Sequence, residues 1–118
     1  MNTLVIGASI NPERYSFKAI TMLRAHNQSV LAFGPKVGIV SDIPITNEWN
    51  SQWKVDTVTL YLNPQRQEAY YDKIIALQPR RVIFNPGTEN KVFSEQLSAH
   101  GIISEIACTL VLLSIGNY

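Results

Sequence analysis

Two short groups of residues in this chain have the composition of phosphate-holding turns. The first is Gly7-Ala8-Ser9, with Arg14 and Ser16 close behind. Small side chains there expose backbone N–H groups near the start of a helix, where aligned peptide dipoles favour an anion. Ser9 and Ser16 add hydroxyl donors, and the planar guanidinium of Arg14 can meet two oxygens at once. The second group is Phe33-Gly34-Pro35-Lys36, which ends an apolar run and supplies a cation.

Other reactive side chains form no comparable set. Cys108 is the one cysteine, so it can make no internal disulfide, and a small core position is favoured over a reactive thiol. Glu89 and Glu105 have no spacing that joins them as acid and base and read as solvated carboxylates. His26 and His100 stand far apart, so no structural metal is expected.

The elements that must carry these turns can be read in order. Residues 4–6 are a short apolar strand reached near the start of the chain. Ser16 is suited to cap a helix with Ala19, Ile20 and Leu23 on its inner face, closing near His26-Asn27. Residues 29–33 form a second strand, stopped by the Gly/Pro-rich loop 34–38, whose glycines permit sharp changes of direction. Ile43-Pro44-Ile45 is a third strand, placed at a sheet edge by its proline. Residues 47–53 are a loop or one or two helical turns, with Trp49 and Trp53 packing down on the sheet.

A fourth strand at 56–62 leads through Asn63-Pro64 into a helix that runs to about Leu77, with Tyr70, Ile74 and Leu77 inward. The fifth strand, 81–84, ends in Asn85-Pro86-Gly87-Thr88. A helix follows with Val92, Phe93, Gln96, Leu97 and His100 along one side, closed by Gly101. Residues 102–106 make a sixth strand, and 108–115 a terminal helix closed by Gly116. Its run from Leu110 to Leu113 can bury within the domain or form a homodimer interface.

Strands alternating with helices from end to end predict an α/β chain with a Rossmann-like doubly wound parallel sheet, a single three-layer domain over residues 1–118. The expected strand order is 3-2-1-4-5-6, with ligands at the carboxyl ends of the strands. Length and composition agree, since 118 residues with 46% apolar content suffice for one core and not for a second domain. A net charge of +1 with scattered basic residues leaves no footprint for a nucleic-acid partner. No long apolar run and no leader pattern are present, so no membrane association and a cytoplasmic location are expected.

The fold sharpens the ligand. A dinucleotide fingerprint would place glycine where Ser9 and Pro12 stand. The end of the second strand, where NAD-binding domains put Asp or Glu for the ribose hydroxyls, holds Lys36 instead. Lysine suits a ribose phosphate, so NAD is disfavoured, while NADP and coenzyme A stay open.

Gly7-Ala8-Ser9 with Pro12, Arg14 and Ser16, the Pro35-Lys36 loop with Gly38, and Asp56-Thr57-Val58 before Tyr61 together resemble the CoA-binding domain family over nearly the whole chain. The likeness is to its small stand-alone members, and the Pro35-Lys36 loop is also similar to that of the succinyl-CoA synthetase α subunit. The resemblance implies that Gly7, Ala8, Ser9, Arg14 and Ser16 hold the diphosphate. It places Phe33, Pro35 and Lys36 by the adenosine and its ribose phosphate, and the pantetheine arm along Leu62-Asn63 and Asn85-Pro86-Gly87. Synthetase chemistry is not implied, because that enzyme's phosphohistidine comes from a second domain. The expected function is non-catalytic binding of coenzyme A or an acyl-CoA, with NADP less favoured as cofactor. The alternatives are an NADP- or CoA-dependent enzyme and a CoA-responsive interaction module.

Overall fold

The apolar run at the start of the chain becomes the central strand of the sheet. In the computed structural model, which describes residues 2–118, β1 (Asn2–Ile6) lies between β2 (Ser29–Phe33) and β5 (Thr57–Leu60), parallel to both. Leu4 and Ile6 face one core cluster and Val5 the other, so alternate side chains of one buried strand serve both faces. β6 (Arg81–Phe84) and β7 (Ile103–Ile106) extend the parallel sheet beyond β5. On the far side, β4 (Ile43–Thr46) pairs parallel with β2.

The strand order expected from the sequence is therefore present, with one addition. Gly38–Val40 forms a short strand, β3, antiparallel to β4 and outside it. The full order is β3-β4-β2-β1-β5-β6-β7. This corrects the placement of Pro44, which is not on the edge strand. Pro44 lies opposite Ile39, and pairing with β2 involves only Ile45 and Thr46, so no ladder bond to β2 is required of the missing N–H.

Helices cover both faces. α1 (Tyr15–Ala25) and α5 (Thr109–Ser114) pack on one side, where Ile20, Leu23 and Leu113 meet Val5, Val30 and Ile45. The other side carries α2 (Pro64–Gln67), α3 (Tyr71–Leu77) and α4 (Lys91–Ala99), with Ile74, Phe93 and Leu97 against Leu4, Val58, Val82 and Phe84. The result is one compact α/β domain with a Rossmann-like sheet between two helical layers.

Several boundaries differ from expectation. Ser16 does not cap α1; Arg14 occupies the cap position, no side chain caps the helix, and Ser16 is inside its first turn. The helix expected over 64–77 is broken by a 3-10 turn at Glu68–Tyr70. Tyr70, the last residue of that turn, and Tyr71, the first of α3, pack in different directions, Tyr70 against Phe33 and Trp49, Tyr71 stacked on Phe93 at 4.3 Å. In α4, Phe93 and Leu97 are buried, but Val92 and the C-cap residue His100 are exposed, because Val92 sits about 100° round the helix from Phe93 and His100 lies beyond the last helical residue, Ala99. Residues 47–53 form a loop, and Trp49 and Trp53 do pack together at 5.2 Å against Phe33. The terminal apolar run divides, with Leu113 buried and Val111 exposed.

Candidate functional site

A cleft runs along the carboxyl edge of the sheet, where the loops after β1, β2, β5 and β6 come together. It has a polar lobe of about 780 Å³ and an apolar lobe of about 410 Å³, joined at Gly7, Pro35, Leu62 and Arg66. Both volumes are in the range of small-molecule sites.

The first loop and the second are locked together by glycine. A Cβ on Gly34 would lie 2.1 Å from the carbonyl oxygen of Ala8, and one on Gly38 would lie 2.4 Å from Cγ2 of Ile10. Beyond permitting a change of direction, those glycines let one loop lie directly on the other. Gly7 combines both demands, with φ +91° and Tyr61 O only 2.7 Å from where a Cβ would be.

The same contact spends two donors. The N–H groups of Gly7 and Ala8 both donate to the carbonyl of Phe33 at 3.0 Å, so neither is directed at a ligand. Among the described residues, Tyr15, Ser16 and Phe17, the first turn of α1, have no protein acceptor for their N–H groups, and no side chain caps them. Ser16 is 3% exposed, and its residual surface lines the polar lobe. The anion-attracting feature is thus the uncapped helix end together with Ser16, displaced from the glycine turn itself.

Three cations line the same polar lobe as this end. Arg14 and Lys36 line the polar lobe, and Arg66 lines both lobes. Among the described residues none of the three has a carboxylate within ion-pair distance, and no Asp, Glu, His or Cys lines either lobe. In the sequence Arg66 stands in a polar Pro-Gln-Arg-Gln segment, the composition of a solvated helix flank. The signal that locates it is Asn63, whose side chain accepts from Arg66 N at 2.9 Å and so sets the start of α2 beside the cleft.

Of the other expected site residues, Ser9, Pro35, Leu62, Asn63, Pro86 and Gly87 line the cleft, and Phe33 forms a wall of its apolar lobe. Pro86 and Gly87, at φ +90°, form a turn closed by Thr88 N donating to Asn85 O at 2.9 Å, which suits proline followed by glycine. Asn85 is not brought to the cleft. It is buried, its amide donates to Thr59 Oγ1 and Leu60 O, and its Oδ1 accepts from Thr109 N. It fixes the ends of β5 and β6 to the start of α5.

Gln67, fully buried, was missed from the sequence. Its Nε2 donates to Leu62 O at 2.9 Å and Thr88 O at 2.8 Å, and its Oε1 accepts from Asn90. One side chain thereby ties together the loops after β5 and β6. Nothing in a Pro-Gln-Arg-Gln segment distinguishes that glutamine from a surface one. Tyr61 lines the polar lobe with its hydroxyl buried and unpartnered; burial pushes this phenol up to about 12, so it stays neutral at ordinary pH.

Remaining candidates lie elsewhere. Glu105 pairs with Arg81 at 3.1 Å, Glu89 accepts from Gly87 N, and half-buried Cys108 precedes α5. No helix among the described residues is long and apolar enough to cross a membrane, and none of their His, Cys, Asp and Glu side chains cluster as a metal site.

A family model described as a CoA binding domain matches residues 1–114. A crystal structure of an uncharacterized protein shares 46% identity at a TM-score of 0.95, covering 99% of this chain and 97% of that one. The structure of cell-free ID.343 from Thermus thermophilus has 19% identity and a TM-score of 0.88, over 99% and 90% of the two chains. A conserved hypothetical protein from Pyrococcus furiosus has 19% identity and a TM-score of 0.80, over 93% and 97%; these last two likenesses concern the fold alone. No curated protein sequence matches the chain.

Proposed function

The chain belongs to the CoA binding domain family, and from that premise we propose that the cleft holds coenzyme A or an acyl-CoA by its phosphates without transforming it. The observation that carries this is the set of unpaired cations Arg14, Lys36 and Arg66 lining one lobe with the uncapped end of α1 and the buried Ser16. Such a site favours a ligand with several separated phosphate charges.

The diphosphate is assigned to the α1 end with Arg14 and Ser16. Lys36 and Arg66, nearer the junction of the lobes, receive the ribose phosphate. The pantetheine arm is assigned to the polar lobe past Asn63 and Pro86-Gly87. A binding role without chemistry is supported by the lining, which offers no carboxylate, imidazole or thiol among the described residues to move a proton or attack a thioester.

Titration calorimetry with coenzyme A, acetyl-CoA and NADP tests the proposal. Saturable binding of coenzyme A, tighter than that of NADP, is expected. No heat or competition at millimolar coenzyme A, or preferential binding of NADP, contradicts it.

A further inference from the structure

Resting on that coenzyme reading, we propose that the apolar lobe selects adenine over other purine bases, and that Asn47 is the residue that makes the selection. The lobe is walled by Phe33, Leu62, Ala69 and Tyr70. Phe33 is itself held by edge contacts to Trp49 at 5.2 Å and Tyr70 at 5.5 Å, so the wall is packed before a ligand arrives. Apolar walls accept any flat ring of the right size; the choice between rings falls to the polar groups that edge them.

Besides the hydroxyl of Tyr70, three polar side chains line this lobe, those of Asn47, Gln65 and Arg66. Arg66 offers donors only and reaches into the cationic lobe as well. Asn47 and Gln65 each carry a donor and an acceptor, and neither amide is committed to a protein partner among the described residues. Asn47 is the better anchored. It follows Thr46, the last residue of β4, which pairs with Phe33 and whose carbonyl accepts from Gly34 N at 3.0 Å. Gln65 stands on the short α2 and has a further rotatable bond to immobilise.

Adenine presents a donor at N6 beside an acceptor at N7, and a side-chain amide satisfies both at once. Hypoxanthine carries an oxygen where adenine has its amino group. The Asn47 carbonyl would then face a second acceptor, and one of the two bonds would be lost or opposed.

The test uses coenzyme A and its hypoxanthine analogue, each titrated into wild type, Asn47→Ala and Gln65→Ala, with thermal unfolding to confirm that each variant is folded. Wild type is expected to prefer coenzyme A by about tenfold or more. Asn47→Ala should bind the two within about twofold, and Gln65→Ala should keep most of the preference. Equal binding of the two ligands by wild type, or a preference that survives in Asn47→Ala or disappears in Gln65→Ala instead, overturns the assignment while leaving coenzyme binding intact. Failure of wild type to bind coenzyme A at all overturns both together.

Discussion

The two ends of the sheet hold similar cations and treat them in opposite ways. At the amino ends of the strands, Arg24 pairs with Asp42 at 2.7 Å, Arg80 with Asp56 at 3.0 Å and Arg81 with Glu105 at 3.1 Å. Arg81 also donates to Thr57 Oγ1 and lies 4.6 Å from the centre of the Tyr118 ring, while the Tyr118 hydroxyl bonds Thr3. At the carboxyl ends, Arg14, Lys36 and Arg66 surround a cleft with no carboxylate in its lining among the described residues. Paired charges close the bottom of the fold, and unpaired ones leave the top needing an anion. Charge count alone would not separate them; partner identity does.

If this contrast is sound, changes at the two ends should move different observables. The largest stability loss is expected from Arg81→Leu, which removes a buried guanidinium's bonds to half-buried Glu105 and to Thr57 Oγ1. Chemical denaturation should show about 3 kcal/mol lost from these bonds together, with coenzyme affinity little changed. A large affinity loss in a folded Arg81 variant would break the division.

Gly34→Ala probes the junction of site and scaffold. Because its Cβ meets Ala8 O at 2.1 Å, backbone must move, and about 2 kcal/mol of stability should go together with coenzyme binding, measured by unfolding and calorimetry on the same sample. Retention of full affinity would show that the two loops need not lie against each other.

Arg66→Ala should do the reverse of Arg81→Leu. An exposed cation without a carboxylate partner contributes within about 0.5 kcal/mol to folding, yet losing its bond to a phosphate should weaken coenzyme binding by about 1.5 to 3 kcal/mol.

The smallest expected effect is that of acid. The Arg80 guanidinium donates to Asp56 and holds its carboxyl below the ordinary carboxylate range, with burial opposing. The unfolded chain takes up that proton at a higher pH than the native one. Stability from this pair is therefore complete above about pH 4 and is lost as pH falls through the native value. Urea unfolding between neutral and acid pH should lose less stability in Asp56→Asn than in wild type.

How much of this was legible in the sequence follows from which residues speak locally. The apolar strands, and the helix ends at Asn27 and Gly101 with φ 59° and 73°, announce themselves through hydrophobicity and backbone preference. So did most of the cleft, because a doubly wound sheet brings its strand-end loops to one edge. Long-range partners were not readable. The three-residue β3 depends on a turn at Ser41, whose φ of 58° serine's own preferences do not suggest. Gln67 acquires its role from carbonyls at Leu62 and Thr88, the latter 21 residues away. Gly7 and Ala8 looked like free donors until Phe33 O claimed them, and Arg66 looked like one more wet residue until two lobes met beside it.

The central claim, that unpaired cations of the cleft hold the phosphates of coenzyme A, is tested most directly by a thermodynamic cycle. Wild type and Lys36→Ala are each titrated with coenzyme A and with dephospho-CoA, which lacks the ribose phosphate. Removing either partner should weaken binding by about 1 to 3 kcal/mol, and losing the ribose phosphate should cost less in Lys36→Ala than in wild type, the remainder being its bond to Arg66. Losses that simply add, or wild-type binding of dephospho-CoA as tight as that of coenzyme A, would contradict it.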